Sequence, residues 1–190
     1  NNKGEQMATE NRELTSKARQ SLSANWGLAV GAFFIFMMIN SIGNEVSLII
    51  GGAMQLGASI VALNFARGKK VELSQLFDGF KNFANSLVAY LLMTLFILLW
   101  SLLLIIPGII AAIAYSQTFF ILADDKKISG SDALKKSREM MKGYKGKYFM
   151  LCLRFTGWFL LSILTLGIGF LWFVPYVSVS FANFYDDIKK

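Results

Sequence analysis

Arg154 is the only charged residue inside any of the long apolar stretches of this 190-residue chain. A guanidinium held among hydrocarbon costs a few kcal/mol, roughly 2.5–3.5 on insertion scales, unless it snorkels to an interface or finds a partner. Asp124, Asp186, Gln117, Asn183 and a lipid phosphate are the mates within its compass. The chemistry it suggests is recognition of an anion or a lipid headgroup. A second concentration of charge lies at Lys135, Lys136, Arg138, Lys142, Lys145 and Lys147, beside Tyr144 and Tyr148. Ser129 or Ser131 is placed to cap a helix beginning near Asp132. Leu134, Arg138 and Met141 recur there at helical spacing, as do Ala133, Ser137 and Met140. Such an interfacial helix grips anionic lipid with about 1 kcal/mol per near-surface base. Positive-inside topology alone accounts for the same charges, and docking of a cytoplasmic partner is a third reading.

Other chemistry is thinly represented. Asp124-Asp125 and Asp186-Asp187 are paired carboxylates, but they stand at the edges of apolar runs beside Lys126-Lys127 and Lys189-Lys190 and read as solvated charge. Gln117, Asn183 and Asn64, with Asn40 and Gln55, are uncharged polar groups inside those runs, where such groups usually bond neighbouring helices. No acidic residue lies among them to make a proton or cation relay. The chain has no His and one Cys, Cys152. That excludes a His-bearing zinc site, Ser-His-Asp or Cys-His catalysis and an intramolecular disulfide. No phosphate-cradling glycine loop or nucleophile elbow is present. The residues therefore point to a non-enzymatic protein without cofactor or metal.

The elements that must position these groups are set by where charge is missing. Apolar residues make up 55% of the chain, charged residues 16%, and the mean hydropathy is +0.50. The apolar runs are 26–42, 46–66, 87–123 and 149–185. One bilayer crossing needs ~20 residues at 1.5 Å rise each, so the last two runs are nearly double length. Ile106-Pro107-Gly108 splits one and Thr165-Leu166-Gly167-Ile168-Gly169 the other. The expectation is an all-α polytopic membrane protein of six transmembrane helices, at about 26–42, 46–66, 87–105, 108–123, 149–165 and 169–185. They form hairpins 26–66, 87–123 and 149–185 within a single transmembrane domain, 26–185. An amphipathic segment, 1–25, precedes it and a short tail, 186–190, follows. All of the 19 basic residues except Arg154 fall on one side of this arrangement, in the N-terminal segment, the loops 67–86 and 124–148, and the tail. The positive-inside rule makes that side, with both termini, cytoplasmic. Basic residues crowded beside apolar spans find their counter-charge in anionic headgroups, so the net charge of +7 does not indicate nucleic acid. No cleavable signal peptide is evident, because the first apolar run follows a mixed-charge segment.

The chain also repeats a unit: a polar or amphipathic segment, then a hairpin. Leu76-Phe77-Asp78-Gly79-Phe80-Lys81 parallels Met140-Met141-Lys142-Gly143-Tyr144-Lys145. Tyr115 and Tyr176 recur in the returning helices, which end near Asp124-Asp125 and Asp186-Asp187. A looser first copy runs from Ser16 through two spans joined at Gly43-Asn44. Small residues at four-residue spacing, Gly27/Gly31, Ala53/Gly57 and Ala58/Ala62/Ala66, permit close helix packing.

At these residues the chain resembles a known family. Leu76 to Lys81, the Ile105-Ile106-Pro107-Gly108-Ile109-Ile110 turn, Ser137-Arg138-Glu139-Met140-Met141-Lys142-Gly143-Tyr144-Lys145, Pro175-Tyr176 and Asn183-Phe184-Tyr185 are similar to bacterial integral membrane proteins of domain-of-unknown-function family 975. The resemblance covers most of the chain from Asn11 onward. It implies a bacterial membrane location and carries over no catalytic or binding residues. The leading expectation is an accessory or lipid-interacting membrane protein of the bacterial cytoplasmic (inner) membrane. Its partners would be anionic lipids, together with a protein partner or a second copy. The alternative is a small transporter or lipid-translocating protein.

Overall fold

The structure, a computed structural model, describes residues 10–40 and 44–189. Every regular element among them is helical. In chain order they are α1 (Asn11–Ser23), α2 (Trp26–Asn40), α3 (Asn44–Ala66), a 3-10 segment (Leu73–Asn82), α4 (Phe83–Leu103), α5 (Ile105–Tyr115), α6 (Thr118–Asp124), α7 (Gly130–Met140), α8 (Lys145–Leu164) and α9 (Phe170–Ile188). The turn expected at Ser41-Ile42-Gly43 lies outside the described residues.

Local sequence explains the polar helices. In α1, Leu14, Ala18 and Leu22 recur at four-residue spacing and are buried, while Arg12, Ser16, Arg19 and Ser23 form an exposed stripe. The Ser129 side chain caps α7 by accepting from the Asp132 amide at 3.1 Å and donates to the Asp132 carboxylate at 2.7 Å, as the Ser129 alternative expected. At the end of α3, Gly68 takes φ +62°, and the Lys69 amide reaches back to the Asn64 carbonyl. A left-handed residue there suits glycine and stops the helix directly after Arg67.

Two boundaries differ from expectation. The 87–123 run breaks at Leu104, which is extended, and Pro107 sits in the first turn of α5 instead of in the connection. Proline costs no hydrogen bond there, because the first-turn amides of a helix have no intrahelical acceptor. The returning helix then breaks a second time, at Ser116-Gln117, between α5 and α6. Ser137 of α7 satisfies the break. Its hydroxyl donates to the Ala114 carbonyl at 2.8 Å and accepts from the Gln117 amide at 3.2 Å, with Ser137 and Gln117 both buried. Ser137→Ala leaves both backbone groups unpaired and is expected to destabilise the protein by about 1–3 kcal/mol, read as a lower thermal midpoint in detergent. An unchanged midpoint would mean that the break does not depend on the Ser137 hydroxyl.

The helices close into a ring. Each returning helix packs on the polar segment that follows it in the chain: α3 on the 3-10 segment, and α5 and α6 on α7. The last, α9, packs back on α1 and α2 and completes the circuit. α3 also touches α6 and α9, so the three returning helices meet at the middle. α4 and α8 face outward and expose Leu95, Leu98, Leu99, Trp100, Leu153, Trp158, Phe159, Leu160 and Leu161. Soluble proteins rarely leave so much apolar surface bare, whereas lipid covers it without penalty. Four helical stretches among the described residues are long and apolar enough to cross a membrane: Ile49–Ala66, Leu73–Leu102, Ile105–Asp124 and Lys145–Leu164. α2 is shorter and joins α1 at a bend of 102°.

Candidate functional site

The ends of α3, α6 and α9 converge on one ion cluster. Arg67, just past α3, forks onto Asp186, with Nε donating to Oδ2 at 2.9 Å and Nη2 to Oδ1 at 2.6 Å. Its Nη1 donates to Asp124 Oδ1 at 2.8 Å. Lys189 and the Tyr185 hydroxyl complete the shell of Asp124. Two cations thus balance two carboxylates. The hydrogen bonds to Asp186 hold the Arg67 guanidinium above its already high ordinary pKa, so it stays charged at every accessible pH. Asn64 donates to Gln75 Oε1 at 3.0 Å and ties the same end of α3 to the 3-10 segment.

Beneath the cluster lies a central cavity of about 290 Å³. Ser59 of α3, Ser116 before α6 and Ser178 of α9 line it, with Gln55 and Tyr148. Ser59, Ser116 and Ser178 each stand eight residues before Arg67, Asp124 and Asp186 respectively. One register therefore places three hydroxyls around the cavity and, roughly 12 Å further along each chain path at helical rise, the three members of the ion cluster.

A different cleft gathers three arginines. Arg12, Arg19 and Arg154 line a space of about 450 Å³ with Ser16, Gln20 and Tyr176. Among the described residues no carboxylate lines it, and none of the three arginines makes an ion pair. The Arg19 guanidinium lies 5.9 Å from the centre of the Tyr176 ring. Through Arg19 and Tyr176 the cleft adjoins an apolar groove of about 290 Å³ walled by Trp26, Trp158, Trp172, Leu161 and Phe173. A cationic mouth thus opens onto an aromatic trough.

Arg154 therefore reaches toward α1 and none of its sequence-expected protein mates. Asp124 and Asp186 are held by Arg67, Asn183 donates to the Leu14 carbonyl at 3.4 Å, and Gln117 is buried at the α5–α6 break. Arg154 lines its cleft without Gln117 or Asn183. Gln117 donates to Ser116 Oγ at 2.9 Å, and its Oε1 has no partner among the described residues. Lys147, expected among the lipid-facing bases, is instead turned inward. It pairs with Asp187 at 2.7 Å and lies over the Phe184 ring, both side chains mostly covered. Lys135 pairs with Asp132 at 3.4 Å on the exposed side of α7, and Lys136 and Lys142 are exposed. Arg138 and Lys145 border a separate groove of about 180 Å³.

Arg67, Arg12 and Arg19 were not singled out from sequence. The signal for Arg67 was present: Asn64-Phe65-Ala66-Arg67 matches Asn183-Phe184-Tyr185-Asp186 in register, with opposite charge at the last position.

The family model described as a protein of unknown function, DUF975, matches residues 7–113 and 102–190. The chain belongs to that family. Neither a curated protein nor a solved structure matches it. DUF975 membership agrees with the resemblance carried by the Ile-Pro-Gly and Met-Lys-Gly-Tyr-Lys motifs, and it assigns no activity to either the ion cluster or the cleft.

Proposed function

We propose that this DUF975 protein is a non-enzymatic, lipid-interacting protein of the bacterial cytoplasmic membrane that holds an anionic phospholipid in the α1–α8–α9 cleft. The observation that supports this reading is the continuity of the Arg12/Arg19/Arg154 mouth with the tryptophan-walled groove. Arginines present bidentate donors suited to a phosphate, and the groove offers an apolar path for an acyl chain. A soluble anion would leave that groove unused, and a neutral lipid would leave three cations without counter-charge. Charge asymmetry favours both termini in the cytoplasm and six crossings in three hairpins. α1 and α7 would then lie at the inner headgroup level, where Arg154 meets the mouth of the cleft.

Arg154→Gln should weaken retention of phosphatidylglycerol about fivefold, since one near-surface base is worth about 1 kcal/mol. Lipid titration of the purified protein followed by native mass spectrometry reads this directly. Equal retention by wild type and variant would sink the reading.

A second reading, translocation of a small polar solute or lipid headgroup, is favoured by the central cavity with its ring of Ser59, Ser116 and Ser178. The Arg67 cluster would then be the cytoplasmic closure of that route.

A further inference from the structure

The cleft on α9 has a counterpart built from the preceding hairpin. The groove bordered by Arg138 and Lys145 is walled by Trp100, Pro107, Ile110 and Tyr115. Three of its parts correspond to parts of the α9 cleft, while Arg12 and Arg154 have no counterpart in it. Tyr115 and Tyr176 come from the two returning helices, α5 and α9. Arg138 and Arg19 come from the polar helices packed on them, α7 and α1, and each lies one residue past a buried small residue, Ser137 or Ala18. Lys145 and Trp26 are the first residues of the helices that follow, α8 and α2. The far ends of both hairpins are closed alike. Gly108 packs against Ser101 and Gly169 against Ser162, each glycine seven residues after its serine. At the remaining interface, between α3 and the 3-10 segment, no such space can form. Gly57 and Gly79 bring the two backbones into direct contact there.

We propose that the α4–α5–α7 groove is a second phospholipid site, so that the protein carries two anionic lipids at equivalent places in a threefold-like ring whose third place is sealed. The inference rests on the lipid reading of the first cleft. Arg138 and Lys145 supply the charge for a phosphate, no carboxylate among the described residues lines the groove, and its remaining wall is apolar or aromatic. An occupant must therefore be anionic at one end and hydrocarbon at the other, and the groove opens on a surface where Trp100 and Ile110 are exposed.

Native mass spectrometry of the full chain in detergent with added phosphatidylglycerol counts the lipids retained. Two per chain are expected, with phosphatidylcholine at the same concentration stripped at lower energy. Arg138→Gln with Lys145→Gln should leave one, Arg19→Gln with Arg154→Gln should leave one, and the four changes together none. Ile110→Trp fills the groove from an exposed position and keeps both bases, so it should also leave one and guards against a charge variant that fails to fold. A single lipid in the wild type, indifferent to Arg138, Lys145 and Ile110 changes but lost with Arg19 and Arg154, overturns the second site and leaves the first standing. Two lipids that survive the Arg19/Arg154 changes overturn the reading of the first cleft, and with it this inference. Equal retention of phosphatidylcholine overturns both.

Discussion

Arg67→Ala should lower the thermal midpoint of the detergent-solubilised protein by about 5–10 °C, corresponding to roughly 2–3 kcal/mol. The guanidinium is the only group bonded to both Asp124 and Asp186 among the described residues, and it accounts for three of the cluster's hydrogen bonds. Removing it leaves Lys189 and Tyr185 on Asp124 and strips Asp186 of both its short bonds. The two carboxylates then face each other without the charge that separated them. The full cost of breaking a buried ion pair, about 3–5 kcal/mol, is discounted because the Arg67, Asp124 and Asp186 side chains remain 25%, 15% and 32% exposed. Arg67→Lys should recover little, since an ammonium cannot fork onto Asp186 and still reach Asp124 with planar geometry. Adding Asp186→Asn to Arg67→Ala should recover part of the loss by removing the orphaned charge. A midpoint for Arg67→Ala within about 1 °C of wild type would show that the cluster is solvated charge without structural consequence. Under the translocation reading the same variant has a second consequence: the closure above the three-serine ring is gone, and solute flux into proteoliposomes rises instead of falling.

The two hairpins 87–123 and 149–185 were legible because their signals are local. A long apolar run interrupted by Pro-Gly or Gly-Ile-Gly specifies helices on either side of a turn. The Ser129 cap was legible for the same reason, since both its partners lie within three residues. What sequence did not disclose depends on pairs far apart in the chain. Arg67 looked like one base among several in a polar loop; its role needs Asp124 and Asp186, which lie 57 and 119 residues away. Lys147 belonged to a basic run, and only the packing of α8 on α9 turns it toward Asp187. The break at Ser116-Gln117 carries no proline or glycine, because the group that relieves it is a serine on another helix. Arg154 was conspicuous as a lone charge, but Arg12 and Arg19, which share its cleft, sit on a helix whose composition alone says only that it is amphipathic.

The Ala53/Gly57 small-residue stripe, visible in the sequence, meets a partner that was not, and this pair carries the second large prediction. A Cβ on Gly57 would overlap the Leu76 carbonyl oxygen, and one on Gly79 would overlap the Ala53 carbonyl oxygen. Each obstacle is backbone, so no rotamer change relieves it, and α3 and the 3-10 segment would have to separate. Leu76, fully buried between them, would lose its packing, and the Asn64–Gln75 bond would stretch with it. Gly57→Ala and Gly79→Ala are each expected to cost about 3 kcal/mol or more, at the upper end of overpacking effects, and to appear as lower thermal midpoints or aggregation on size exclusion. Their effects should not add, because either one alone forces the same separation. Gly27→Ala and Gly157→Ala supply the contrast. They lie in α2 and α8 with nothing within 4 Å of the added methyl, so the helix preference for alanine should make them neutral or stabilising by up to about 1 kcal/mol. If Gly57→Ala behaved like Gly157→Ala, the two backbones would not be in contact. The third place in the ring would then be as open as the other two.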